Sequence, residues 1–164
     1  MAGIKLTIKF DPLLEKIQAA NGDVSAAAMK AATESAKVVE SELKAAASAA
    51  GVPSSITSAV GSEIKVENAG NRVVAEVGWK MGGYDPKNPS AGFKAAFLNF
   101  GTVRRKVKRD NIRFDVGGAF RTLDLDRGAI AGRGFIATAR EQAAPKTKKV
   151  QRAVLKETLK GLEG

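Results

Sequence analysis

The chain contains no cysteine and no histidine, and aromatic residues make up 5% of its 164 positions. Without cysteine there is no disulfide, no thiolate nucleophile and no thiolate metal site. Without histidine the commonest general base and the commonest metal ligand are missing. Zinc hydrolases, Ser-His-Asp hydrolases and Cys-His proteases are therefore excluded. So few aromatics make a base-stacking platform hard to build. Long apolar runs are also lacking: no stretch approaches the ~20 residues that span a bilayer. The opening MAGIKLTIKFDP interrupts its apolar residues with lysines and has no continuous leader-like run. A protein made and used without secretion machinery, and without a membrane partner, is expected.

What the chain has in excess is positive charge, a formal +10. It is unevenly placed. Residues 1–100 hold 11 basic and 10 acidic groups, whereas residues 101–164 hold 16 and 7. The surplus therefore belongs to the C-terminal part. The length fits one domain, 1–164, and an apolar fraction of 44% can supply its core.

Ile4, Leu6, Ile8 and Phe10 alternate with polar residues, as in a half-buried strand. Asp11-Pro12 suits a helix start, Leu13, Leu14 and Ile17 give that helix an apolar face, and Asn21-Gly22 ends it. A longer helix begins near Asp23 or Ser25 and runs to about Ala50. Ala28, Ala32, Ala36 (or Ser35), Val39, Leu43 and Ala46 share one face, and their small size permits close packing. Gly51-Val52-Pro53 stops it, and the Ser-rich residues 54–58 read as a connection. Residues 63–68 and 72–79 form a hairpin across Ala69-Gly70-Asn71. Residues 80–92 are a Gly- and Pro-rich loop. Phe93 to Phe100 is apolar and counts as a further strand ending at Gly101. Residues 103–132 form an extended insertion: the basic run 103–111, a hairpin turning at Gly117-Gly118, and a Gly-rich return. Phe135 to Ala144 is helical. Pro145 breaks it, kinks it or opens the next segment, whose stripe is Val150, Val154, Leu155, Leu159 and Leu162. The order β-α-α-β-β-β-β-β-α predicts an α+β domain. Its sheet is mostly antiparallel, with the long Ala-rich helix and the C-terminal helix packed on one face.

Four features were weighed for chemistry. Gly128 to Gly134 precedes a helix, yet lacks both nucleotide-binding spacings, and backbone geometry accounts for the glycines. Asp124 and Asp126 share one side of a strand and, with Asp115, could gather round a metal. A charged strand edge explains them as well. The basic residues Arg104, Arg105, Lys106, Lys108 and Arg109 suit either a phosphate-contacting arm or the rim of a protein interface. The lysines of the last helix lack the Trp and Phe companions of a membrane-surface helix, so a solvated face is expected. No cofactor, metal or catalytic set is expected.

Two short elements carry a resemblance. Ala96-Phe97-Leu98-Asn99-Phe100-Gly101-Thr102 is followed, after the insertion, by Arg133-Gly134-Phe135-Ile136-Ala137-Thr138-Ala139 and a charged terminal helix. In this order, behind an Ala-rich helix and a hairpin, the chain resembles the phage tail-component family of the HK97 gp10 type. It departs in having Asn99 where relatives are often acidic, Gly134 where proline is common, and a long 103–132 connection. The resemblance implies that Phe100-Gly101-Thr102 ends a strand and that Arg133-Gly134-Phe135 begins the last helix. It implies a virion structural protein without catalytic activity, made in the host cytoplasm and placed at the neck or tail. Its partners would be copies of itself in a ring such as a hexamer, adjoining neck and tail proteins, and phage DNA passing through the channel. The expected subunit interface is Arg104, Arg105, Lys106, Lys108, Arg109, Arg113, Gly117, Gly118, Arg121 and the exposed face of the last helix. The alternative is a small basic nucleic-acid-binding protein using Arg104 to Arg109.

Overall fold

The computed structural model describes residues 2–8, 12–67, 72–82, 85, 87–102, 106–116, 119–126 and 129–163. For 106–116 and 119–126 the description is of the backbone. The predicted α+β class is correct. Strand β1 (Ala2–Ile8), helix α1 (Pro12–Ala19) and the long helix α2 (Val24–Ala49) come first. A one-turn helix α3 (Ser54–Thr57) precedes strands β2 (Gly61–Glu67) and β3 (Arg72–Trp79). Helix α4 (Ala91–Phe100) leads into the two-residue strand β4 (Gly101–Thr102). Strands β5 (Lys106–Val116), β6 (Ala119–Asp126) and β7 (Ile130–Ala131) precede helix α5 (Phe135–Glu163).

The central sheet has the order β1-β3-β2 and is antiparallel throughout. Its register sets Ile4 opposite Val77, Leu6 opposite Ala75 and Ile64 opposite Ala75. Residues directly opposite each other share a face, so these join Val73 and Trp79 in one apolar layer, the one incorporated in the core. The other face carries Lys5, Glu63, Lys65, Glu67 and Glu76. Lys5 lies 3.8 Å from Glu76 and 3.9 Å from Glu67. One packed and one solvated face is the usual state of an antiparallel sheet. Helix α2 packs on the apolar face, and α5 packs on α2.

Small side chains set that packing. Ala27, Ala28, Ala31, Ala32, Ser35, Ala36, Ala46 and Ala47 of α2 are all buried, with Val39 and Leu43 the larger members. A helix whose contact face is mostly methyl groups lies close to its neighbours, and the buried area accrues along its length rather than from a few bulky residues. Asp23 caps α2 by accepting from Ala26 N at 2.9 Å.

The helix stops are local and chemical. At the end of α1, Asn21 takes a left-handed φ of 58°, Gly22 N donates to Ile17 O and Asn21 N donates to Gln18 O. At the end of α2, Gly51 takes a φ of 70°, Val52 N donates to Ala47 O and Gly51 N to Ser48 O. Both are the same two-bond closure of a helix on a left-handed residue.

Three sequence expectations need correction. Phe93 to Phe100 is helix, not strand. Ser90 Oγ accepts from Phe93 N at 3.3 Å and caps the helix, the stretch has no β-branched residue, and Phe93 and Phe97 meet edge to face at 4.6 Å. Apolar runs this short do not distinguish strand from helix by periodicity. The Ser-rich connection contains a helical turn, which buries Ile56 and Thr57. Helix α5 is continuous through Pro145. The proline removes one backbone donor, but Ala139, Ala143, Thr147, Val154 and Leu155 are buried on both sides of it, so tertiary packing outweighs the local cost. The first-helix cap Asp11 and the Ala69-Gly70-Asn71 connection lie outside the described residues.

The small-residue face predicts an asymmetry. Ala32 is fully buried and Ala45 is exposed. Ala32→Leu should cost about 1–3 kcal/mol through overpacking, whereas Ala45→Leu should stay within about 0.5 kcal/mol of the parent. Urea denaturation of the two variants measures both.

Candidate functional site

The two segments that carry the family resemblance meet in space. The turn after α4 and the turn before α5 run side by side, joined by the pairs Gly101 with Ala131 and Thr102 with Ile130. Arg133 N donates to Leu98 O at 3.0 Å and Gly134 N donates to Asn99 O at 3.1 Å. The last carbonyls of α4, which no helical donor can reach, are thus satisfied by the chain entering α5.

Gly101 is fixed by geometry twice over. Its φ is 75°, and a Cβ there would lie 2.3 Å from Ile130 O. The glycine therefore ends a helix rather than a strand, contrary to what the resemblance implies, and lets two backbones touch. Thr102 Oγ1 accepts from Ile130 N at 3.2 Å, which ties the two turns together.

Gly134 occupies the cap position of α5. Its carbonyl accepts from Thr138 N at 3.3 Å and its φ is 62°. Proline, common there in the resembling family, is locked near −65° and cannot adopt this angle. Glycine offers no capping side chain, and Asn99 supplies one from α4: its Oδ1 accepts from Ile136 N at 2.9 Å. Asn99 is itself buried. An aspartate would present the same oxygen, so the departure at 99 keeps the acceptor.

Arg133 works on a third helix. Its Nη1 donates to Ala50 O at 2.7 Å and to Gly51 O at 2.8 Å. A guanidinium on the last carbonyls of α2 satisfies orphan acceptors and opposes the negative end of the helix dipole. Phe135 follows, fully buried, with its ring edge to face with Trp79 at 5.7 Å. Trp79 Nε1 donates to Ile56 O at 2.6 Å. Residues 98–102 and 130–136 therefore bind the ends of α2, α4 and α5 together. Beside this node lies a groove of about 750 Å³, lined by Gly3, Ile4, Lys5, Phe100, Ile136 and Arg140 among others. Phe100 is 73% exposed at its border. Its large apolar side chain faces outward, whereas that of Phe135 faces the core.

From the same node runs the hairpin β5–β6. The register places Val116 opposite Ala119 and Lys106 opposite Asp126, with an irregularity between Lys108 and Arg113. The Gly117-Gly118 turn, Arg104 and Arg105 lie outside the described residues. Lys106, Lys108, Arg109 and Arg113 fall on β5 and Arg121 on β6. The basic run is thus partly strand, not wholly loop. The register sets Lys106 and Lys108 opposite Asp126 and Asp124, so two of the five basic positions face acidic ones. Asp115 lies opposite Phe120, at the other end of the hairpin from Asp124. At ~3.3 Å per residue along a strand, the four residue steps from Phe120, the partner of Asp115, to Asp124 separate those backbone positions by about 13 Å. No group of metal-ligating side chains occurs among the described residues. Around the start of α5, Arg133 N, Gly134 N and Ile136 N are taken by α4, which weakens the anion-binding option for the Gly-rich segment. No described helix is long and apolar enough to cross a membrane.

The resemblance places Arg133, Gly134 and Phe135 at the start of the last helix, and α5 begins there. Sequence reading missed Asn99 as a cap and the reach of Arg133 to α2. The one available signal was the cap glycine, which left a donor with no local acceptor. No family model matches the chain, and no curated protein or solved structure does.

The remote cap is testable. Asn99→Leu keeps the branched shape and removes the acceptor of Ile136 N, and should cost about 1–3 kcal/mol. Asn99→Asp retains the acceptor at a helix N-terminus and should recover most of that loss. Thermal unfolding of both variants gives the ranking; equal stability of the two would remove the capping role.

Proposed function

We propose that this protein is a structural subunit of a tailed-phage virion, assembling into a ring at the neck or completing the tail. It has no catalytic role in this reading; it acts by shape and charge complementarity with copies of itself and with adjoining rings. The observation that carries the proposal is the union of the two family-like segments in one hydrogen-bonded node, with a long two-stranded arm issuing from it. Strand β5 is 11 residues long, up to about 35 Å at ~3.3 Å per residue. The arm's strands pair chiefly with each other. A lone two-stranded hairpin is marginal in water, and its outer edges offer unpaired backbone groups. Both facts favour an arm completed by a neighbouring molecule. A heterologous contact of this kind, repeated by rotation, closes a ring.

The alternative, phosphate binding through Arg104 to Arg109, is weakened by the acidic positions opposite Lys106 and Lys108.

Deletion of residues 104–126 tests the proposal. Thr102 and Ile130 are paired, so the shortened chain closes over a short loop and the body should fold. The variant should remain folded by circular dichroism, fail to form rings in solution or on the tail, and yield no joined particles. Infectious particles assembled from the deletion variant would refute the assignment of the arm.

A further inference from the structure

The positive charges of the two long helices are treated differently. On α2, Lys37 pairs with Glu34 and Lys44 with Glu40, each at 2.6 Å. On α5, Lys146 crosses to Glu42 at 2.6 Å. Beyond it the pairing stops. Lys148, Lys149, Arg152, Lys156 and Lys160 are all exposed, and none makes an ion pair among the described residues. Four of them border a shallow groove of about 430 Å³ with Pro145 and Ala153. Glu157, the acid nearest in sequence, lines a separate groove with Asp23 and Lys30. Positions 148, 152, 156 and 160 recur every four residues, so they stack along one side of the helix.

Like charges at this spacing repel and weaken a helix. The helix dipole rewards a cation in the last turn, which accounts for Lys160 and not for the rest. The stripe is therefore better matched by an external anion than by the helix itself.

We propose that this stripe binds the phosphate backbone of a nucleic-acid duplex. From Lys148 to Lys160 the helix rises ~18 Å at 1.5 Å per residue. One strand of a duplex presents a phosphate every ~3.4 Å along its axis, about five over that length, and the stripe presents five cations. It contains no aromatic side chain on which unpaired bases could stack, which favours a duplex over a single strand. Nor does it hold the Trp or Phe of a helix that inserts into a membrane surface. Such contacts position a duplex and read no base sequence. The inference does not depend on the ring reading.

Fluorescence anisotropy with a short random-sequence duplex, from ~50 to ~200 mM salt, tests it. For the parent chain, five contacts predict a slope of log affinity against log salt of about −4.5. The variant Lys148→Gln, Arg152→Gln, Lys156→Gln should bring it to about −2 and weaken binding at least tenfold at the lower salt. The variant Lys30→Gln, Lys37→Gln, Lys94→Gln removes the same net charge from other exposed sites and should keep the parent slope. Equal slopes for the two variants would overturn the proposal. Parent affinity for poly-glutamate equal to that for the duplex would also overturn it, in favour of an acidic protein surface. Light scattering on the same samples follows assembly independently, so a parent chain that binds the duplex and never forms rings counts against the ring reading alone.

Discussion

The body of this protein is held at the place where three helices end. An α-helix leaves four carbonyls or four amides unpaired at each end, and each needs a partner when it is enclosed. Here the partners are exchanged: the chain entering α5 donates to Leu98 O and Asn99 O, Asn99 Oδ1 accepts from α5, and Arg133 donates to Ala50 O and Gly51 O. Phe135 then anchors the node on Trp79. The long β5–β6 excursion departs and returns within this node, between Thr102 and Ile130. The body can therefore be rigid at the point where the arm is attached, whatever the arm itself meets.

The proposed assembly role requires such a division between a rigid body and an arm. The core is built from small side chains on α2 and the apolar face of the central sheet. Exposed apolar groups at the root of the arm, Phe100 at 73% and Ile130 at 51%, lie where a neighbour on the arm would bury them. The surplus charge divides in the same way. On the arm, part of it faces acidic positions; on α5, Lys146 pairs with Glu42, and the cations from Lys148 to Lys160 make no ion pair among the described residues.

Much of the fold was legible because it depends on local rules. The alternation of Ile4, Leu6 and Ile8, the alanine stripe of α2 and the stops at Asn21 and Gly51 each follow from a few neighbouring residues. Helix α4 was not legible, because an apolar run of eight residues satisfies either period. The continuity of α5 through Pro145 was also hidden, since the packing against α2 that overrides the proline is long-range. At the node, sequence identified the right residues by resemblance but not their work. Arg133 and Ala50 are 83 positions apart, and Asn99 and Ile136 are 37 apart. Hydrogen bonds at such separations leave no periodic trace.

Cryo-electron microscopy of the purified chain, and of any tailed particle that carries it, tests the proposed role most directly. The account predicts a closed ring of this subunit at the neck or tail end, with residues 103–132 of each copy seated on its neighbour. A particle complete without the chain, or a ring in which that arm touches no neighbour, would contradict it.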